Sequence, residues 1–254
     1  MEEIKIIILG ILQGVTEFLP ISSSGHIVLF EHFLNITKDD IVIEVILHFG
    51  TLLSILIFFR KDIYNLISGI INHDKDSLRY GWCIVIATIP IILFSFVVKN
   101  HISSIFSVNI LVYTYIINSI ILFMTRGAIG EKYQISTKLA IAMGIAQIFA
   151  LFPGISRAGI TICTGLLLGY QQREIAKFSF FMAIPALIGA IIFELDNIVH
   201  QISGDPLILV IGCFVSMFSG LLVLRLLFKI LQTNRLWMFS YYCIFIWLVI
   251  LFIL

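Results

Sequence analysis

The 254-residue chain has little charge, since 12% of its residues are charged, whereas 60% are hydrophobic and the mean hydropathy is +1.09. Soluble domains carry about 25% charged and about 45–50% apolar residues. This scarcity excludes a soluble globular class and predicts an integral membrane protein. Positive charge is not in excess either, because 16 Lys and Arg face 15 Asp and Glu, which excludes the basic footprint of a nucleic-acid-binding protein.

Cysteine is also scarce. Four are present, far apart in sequence, and no CxxC or Cys/His spacing occurs that would indicate a zinc or redox site. We expect all four to act as small hydrophobic side chains of the membrane-embedded core: Cys83, Cys163, Cys213 and Cys243.

Long apolar stretches are abundant and predict an all-α membrane protein. About 20 apolar residues cross a bilayer core, and six stretches qualify: 41–59, 82–98, 105–124, 178–195, 207–228 and 237–254. Two further apolar regions, 4–34 and 139–169, are interrupted by polar residues, glycine and proline. Such breaks are tolerated at membrane depth only where protein or a water-filled cavity covers them. We therefore predict six transmembrane helices and two re-entrant helical hairpins.

The distribution of Lys and Arg supports this count. With the 60–81 loop on the inside, inside segments hold 12 basic residues and outside segments hold three. This asymmetry is typical of the positive-inside rule, and it predicts that both termini lie outside.

An internal repeat relates the two broken regions within a single domain, 1–254. A shift of 134 residues superposes them without a gap and divides the chain into repeat 1, about 1–124, and repeat 2, about 135–254. Each repeat then has one hairpin and three spans, and this odd number of crossings inverts the second copy. Inverted repeats with broken helices at the midplane are typical of secondary transporters. We expect the two hairpin tips to meet near the midplane.

The first hairpin concentrates polar residues. Gln13 and Glu17 are four positions apart, so a helix places both on one face. Pro20 and Gly25 break that helix and leave backbone N–H groups beside hydroxyls. A helix restarting here would direct its positive N-terminal end into the break. The hydroxyls belong to Ser22, Ser23 and Ser24.

The second hairpin adds Arg157, the hydroxyls of Ser156 and Thr161, and another helix start after Gly154. A charged residue at a helix centre costs about 2.5–3.5 kcal/mol on insertion scales, so Glu17 and Arg157 indicate function. A purely structural ion pair is the alternative. Helix N-termini, hydroxyls and arginine together favour a phosphate site. Because Glu17 would repel a bare phosphate, either a divalent cation or a protonated acid is expected there.

Two histidines lie in these regions. His26 follows Ser23 by three positions, which favours a catalytic role over a structural one. The hydroxyl, the imidazole or a water could be the nucleophile, and the sequence does not choose between them. His48 lies within a span, where we expect it to pack as a structural residue.

Both motifs resemble one family. Residues 13–26 are similar to the "(E/Q)GxTEFLP(I/V)SSxGH" signature of undecaprenyl-diphosphate phosphatases, and residues 153–161 to their "PGxSRSGxT" signature. The likeness extends over nearly the whole chain and includes His48-Phe-Gly50. Two positions depart from the pattern: Gln13 stands where many members have Glu, and Ala158 replaces a serine.

The resemblance implies a multi-pass enzyme of the bacterial inner membrane. Because the first hairpin is predicted to enter from outside, we expect the site to open to the outer side. The enzyme would hydrolyse undecaprenyl diphosphate to undecaprenyl phosphate and phosphate, recycling the carrier for peptidoglycan and conferring bacitracin resistance. The implied partners are a polyprenyl diphosphate substrate and membrane lipid. A homodimer is compatible with the sequence, which leaves the oligomeric state open. The alternative is a polyprenyl-phosphate flippase, favoured by the inverted repeat rather than by the motifs.

The resemblance also implies roles for residues. The catalytic group is Glu17, Ser23, His26 and Arg157, and the expected cation is Mg²⁺ or Ca²⁺ at Glu17 and Gln13. The expected substrate contacts are Gln13, Ser22, Ser24, Gly25, Ser156, Gly159 and Thr161.

Overall fold

The computed structural model describes residues 2–34, 41–98, 107–201 and 206–254. Within these ranges the chain forms eleven α-helices, and its only β-type pairing is an isolated bridge between Lys132 and Tyr170. The helices are α1 Glu2–Thr16, α2 Ser23–Leu34, α3 Ile41–Phe58, α4 Arg60–Ile71, α5 Lys75–Val98, α6 Val108–Phe123, α7 Thr137–Ile148, α8 Arg157–Leu167, α9 Gln172–Gln201, α10 Pro206–Leu231 and α11 Phe239–Ile253. The all-α fold expected from the sequence is confirmed.

Each of the six expected spans contains a helix. Four segments are long and apolar enough to cross a membrane, and they belong to α5, α9, α10 and α11. A fifth span results if α3 and α4 are taken together. Since α6 has only 16 described residues, the count of six spans stays a prediction. Large apolar side chains such as Val97 and Phe252 are exposed on the helix surfaces, as expected where lipid replaces water.

The segment 60–81, expected to be a loop, is largely helical. The chain bends by 73° at Phe59 and continues as α4, and α5 begins at Lys75, seven residues before the expected start. Asp74 precedes α5 and accepts a hydrogen bond from the Ser77 backbone N–H at 2.9 Å. Hydrogen bonds from the Ser77 hydroxyl and N–H hold the pKa of Asp74 below its usual value. The polar composition of 60–81 therefore does not indicate a lack of helix.

Both expected hairpins are broken helices. The first break separates α1 from α2 and contains Pro20 and Ser22, which has a φ of 68°. The second break separates α7 from α8, with a short 3₁₀ turn at Phe149–Leu151 and Gly154 at a φ of 97°. Ser156 then caps α8, its hydroxyl accepting from the Gly159 N–H at 3.1 Å.

Each broken region packs on the other half of the chain. The helix α1 lies against α10, and α7, its counterpart after the 134-residue shift, lies against α5. Small residues permit both contacts: a Cβ at Gly14 would lie 2.5 Å from the Ser216 carbonyl oxygen, and one at Gly144 would lie 2.6 Å from that of Ala87. The order of helices thus agrees with the repeat, whereas the opposite orientation of the halves in a membrane stays a prediction.

Candidate active site

The two breaks lie directly against each other. The Ser22 hydroxyl accepts a hydrogen bond from the Gly154 N–H at 3.0 Å, and the Ser156 hydroxyl donates to the Leu19 carbonyl at 3.3 Å. Asn118 of α6 joins them further: its amide donates to the Pro20 carbonyl at 3.0 Å and accepts from the Ser156 N–H at 3.1 Å. The hairpin tips are therefore in contact, as expected, whereas their position at the midplane of the membrane stays a prediction.

The charged residues of the two hairpins form an ion pair at this junction. Glu17 presents Oε1 to the Arg157 guanidinium. Its other oxygen, Oε2, accepts from the Ser23 hydroxyl at 2.7 Å and from Gln13 Nε2 at 3.1 Å. One carboxylate thus contacts an arginine and a serine hydroxyl at the same time.

A cavity of about 280 Å³ opens beside this cluster. Its lining includes apolar residues such as Ile91, Leu151 and Leu187. It also includes the polar residues expected from the sequence: Glu17, Ser22, Ser23, Ser24, Ser156 and Arg157. A cavity that combines apolar side chains with an arginine and hydroxyls suits a ligand that joins a lipid chain to a phosphate group.

Four of the other expected contacts lie behind this surface. Gln13 is fully buried beside Glu17. The amides of Gly25 and Gly159 donate to the capping hydroxyls of Ser22 and Ser156, so they serve the helix starts. The Thr161 hydroxyl bonds the Arg157 carbonyl and Ser179, both at 2.7 Å.

The structure does not bring His26 to Ser23. Nδ1 of His26 lies 2.7 Å from the Ser22 carbonyl oxygen, which can only accept, so this nitrogen carries the proton. Nε2 then accepts from the Tyr242 hydroxyl at 2.8 Å, and the two rings stack at 5.7 Å. Among the described residues, no hydrogen bond joins the ring to Ser23 or Glu17.

His26 lines a second cavity instead. This cavity has about 750 Å³ and lies between the end of α1 and the α10–α11 connection. Its surface is mostly apolar, with Lys229 and Arg235 at its edge. The first break is therefore flanked by two cavities, and the ring of His26 belongs to the one that does not contain Glu17 and Arg157.

Two residues of the site were missed by the sequence analysis. His48 and Glu44 of α3 line the cavity beside Glu17. His48 Nδ1 lies 2.9 Å from Gln13 Nε2 and 3.8 Å from Glu17 Oε2, and its Nε2 lies 3.9 Å from Glu44 Oε1. The spacing of Glu44 and His48, four positions apart, was an available signal that they share one helix face. It could not tell which way that face points.

The chain is similar to known proteins over almost its whole length. The family described as "Bacitracin resistance protein BacA" matches residues 6–249. The chain belongs to this family. A protein named undecaprenyl-diphosphatase from Caldicellulosiruptor bescii is 37% identical over 257 residues, covering 99% of this chain and 97% of the relative. Proteins of the same name from Thermosipho africanus and Korarchaeum cryptofilum are 38% and 36% identical, and each alignment covers at least 97% of both chains.

Glu17 and Gln13, where a cation is expected, make other contacts in this structure. Both oxygens of Glu17 already accept hydrogen bonds, from Arg157, Ser23 and Gln13. Gln13 turns its donor group toward Glu17, and its oxygen is buried without a partner. Within the described ranges, no cluster of three His, Cys, Asp or Glu residues could hold a metal ion. The cation expected at Glu17 and Gln13 therefore stays a prediction.

Proposed function

We propose that this chain hydrolyses undecaprenyl diphosphate to undecaprenyl phosphate and inorganic phosphate. Membership of the bacitracin-resistance family and the shared name of the full-length relatives support this activity. The reaction would return the lipid carrier to peptidoglycan synthesis and lower the amount of diphosphate that bacitracin can bind.

The observation that carries the proposal is the bond from the Ser23 hydroxyl to Glu17, at 2.7 Å, beside Arg157. A nucleophilic hydroxyl needs a base within hydrogen-bond reach, and Glu17 has that position. Phosphoryl transfer otherwise depends on positioning and on neutralising charge. Arg157 has five N–H donors, so donors beyond those facing Glu17 and the Ala183 carbonyl can bind phosphoryl oxygens.

In the proposed first step, Ser23 Oγ attacks the terminal phosphorus and its proton passes to Glu17. The bond between that phosphorus and the bridging oxygen breaks, undecaprenyl phosphate leaves with the electron pair and takes up the proton from Glu17, and the carboxylate is thereby free to act as base again. In the second step a water attacks the phosphoserine and gives its proton to Glu17. The Ser23 oxygen leaves with its electron pair, regains a proton from Glu17, and inorganic phosphate departs.

His26 has a positioning role in this proposal. Its ring holds the Ser22 carbonyl on one side and the Tyr242 hydroxyl on the other. These bonds fix the first turn of α2, which carries Ser23. Of the three nucleophiles that the sequence left open, Ser23 has the best support from the contacts.

A flippase is the weaker reading. A flippase needs no nucleophile, so the bond between Ser23 and Glu17 would serve no purpose in it. The relatives above carry the name of a hydrolase rather than of a transporter.

The multi-pass membrane character agrees with the apolar helices. We further propose residence in the inner membrane and a cavity that opens outward, because the basic residues concentrate on the predicted inside. The prenyl chain would lie against the apolar residues that line the cavity and would remain in contact with membrane lipid. A homodimer stays a prediction.

Phosphate release from a polyprenyl diphosphate by the purified protein in detergent tests the proposal. We expect Glu17→Gln, Ser23→Ala and Arg157→Ala each to lower kcat by roughly a thousandfold, since each removes a group required at the reacting phosphorus. The matched controls Glu131→Gln and Arg173→Ala change exposed residues and should keep wild-type rates.

Two outcomes would contradict this proposal. No release by well-folded wild type with Mg²⁺, Ca²⁺ or chelator would remove the phosphatase function and leave the flippase. Full activity of Ser23→Ala, together with a failure to trap a phosphoserine, would instead assign the attack to water. The comparison with chelator also measures directly whether Mg²⁺ or Ca²⁺ is needed.

A further inference from the structure

His48 occupies a position in the cavity that the mechanism above does not use. Its side chain is 26% exposed and stands between Gln13, which is fully buried, and Glu44, which is more exposed. We propose that His48 is a positioning residue that holds the Gln13 amide against Glu17, and thereby the carboxylate against Ser23. This inference rests on the proposed roles of Glu17 and Ser23.

The contacts form a single chain of hydrogen bonds. Gln13 Nε2 lies 3.1 Å from Glu17 Oε2, and a carboxylate paired with Arg157 can only accept. The donor end of the amide therefore faces Glu17. The same nitrogen lies 2.9 Å from His48 Nδ1, so the ring nitrogen accepts the second amide hydrogen. The chain then runs from His48 through Gln13 and Glu17 to the Ser23 hydroxyl.

This accepting role specifies the tautomer of His48. If Nδ1 accepts, the neutral ring carries its proton on Nε2. Nε2 faces Glu44 Oε1 at 3.9 Å, so the carboxylate favours the proton on that side. The charge of Glu44 therefore stabilises the tautomer in which Nδ1 is free to accept from Gln13.

The other end of the amide makes the contact with His48 necessary. Gln13 Oε1 is buried and has no hydrogen-bond partner in the described part of the chain, so it does not fix the side chain. Among the contacts of the described residues, only the two hydrogen bonds of Nε2 determine which way the amide points. Without the acceptor on His48, one bond remains, and rotation of the amide becomes easier. A rotated amide would place Oε1 against Glu17 Oε2 and push the carboxylate away from Ser23.

The test uses the phosphate-release assay with kcat and KM measured separately. We expect His48→Leu to lower kcat roughly tenfold, the effect of about 1.4 kcal/mol, with KM within about twofold. His48→Asn keeps an acceptor close to the position of Nδ1 and should recover kcat to within about threefold of wild type. His32→Leu, which changes an exposed histidine of α2, is the matched control and should have no effect.

A double-mutant cycle separates positioning from a general structural role. In a Gln13→Leu background the amide is gone, so His48→Leu should cause no further loss of kcat. If His48→Leu does not fold, His48→Phe takes its place in the same cycle.

Three results would overturn the inference: a kcat of His48→Leu within twofold of wild type, no recovery by Asn, or losses that multiply in the double variant. Glu17→Gln, assayed beside these variants, distinguishes this failure from failure of the proposed function. If Glu17→Gln is inactive while His48→Leu is not impaired, only the role of His48 is wrong. If Glu17→Gln is active, the proposed site itself is wrong.

Discussion

The two broken segments share the order helix, break, helix but have unequal chemistry. Ser23 begins α2 and Arg157 begins α8, 134 residues apart, and both breaks place a serine on the N–H groups of the helix that follows. Yet Glu17 corresponds to Leu151, and His26 corresponds to Ile160. The first segment supplies the Glu17 carboxylate and the Ser23 hydroxyl, whereas the second supplies the Arg157 guanidinium. Two segments with the same order of helices therefore form one asymmetric site.

The same contrast holds for the two equivalent glutamines, Gln13 and Gln147. Both are fully buried. Gln13 donates to Glu17 and contacts His48, whereas neither amide atom of Gln147 has a hydrogen-bond partner in the described part of the chain. The repeat thus preserves the residue while only one copy keeps its polar contacts.

Of the substitutions that compare the two segments, one in the turn of the second break should lower the stability most. Gly154 has a φ of 97°, and a Cβ there would lie 2.0 Å from the Thr114 hydroxyl oxygen. Gly154→Ala should lower the free energy of unfolding by about 3 kcal/mol, because backbone strain adds to a steric overlap. Thermal unfolding in detergent measures it.

Gly127→Ala is the control for that variant. Gly127 also has a positive φ, 79°, but a Cβ there would meet no atom within 4 Å. Gly127→Ala should therefore lose only the stability that the backbone strain costs. Equal losses in the two variants would mean that the close approach of the hairpin to α6 contributes nothing.

Replacing each of the two glutamines by methionine should show which segment's amide contributes to the reaction. Gln147→Met removes a buried amide without partners, whose burial costs about 1–3 kcal/mol, so Tm should rise or stay equal and kcat should stay within twofold. Gln13→Met should instead lower kcat roughly tenfold, since it removes a bond to Glu17. An equal loss of kcat in both would show that the second segment's amide also serves the reaction.

The smallest effects should come from the capping serines. Ser22→Ala and Ser156→Ala each remove a cap and a bond to the opposite hairpin, and each should lower stability by about 1 kcal/mol. Ser107→Ala, at a helix start without a side-chain cap, should be neutral. If Ser107→Ala loses as much stability as Ser22→Ala and Ser156→Ala, capping does not explain the loss in those two variants.

Sequence reasoning was most successful where the information is local. The breaks at Pro20 and Gly154 and the helix start after Gly154 were predicted, because glycine and proline act over short distances. The expected contact between the hairpins came from the repeat. The bend at Phe59 was not predicted, since neither glycine nor proline stands there and the helix continues on both sides.

The orientation of side chains was harder to predict because it depends on distant residues. The partners of His26, Tyr115 and Tyr242, come from α6 and α11, 89 and 216 positions away. No pattern around His26 reveals that its ring turns from Ser23 toward these tyrosines. His48 was missed for the same reason, since its contact with Gln13 spans 35 positions.

The packing of α1 on α10 has a consequence for biosynthesis. The partner surface of the first helix is made about 200 residues after the helix itself. At about 5–20 residues per second, the ribosome needs some 10–40 seconds to supply it. During that interval α1, with Gln13 at its buried face, has no native neighbour on α10. The contact between α1 and α10 must therefore form late, although α1 is synthesised before the other helices described.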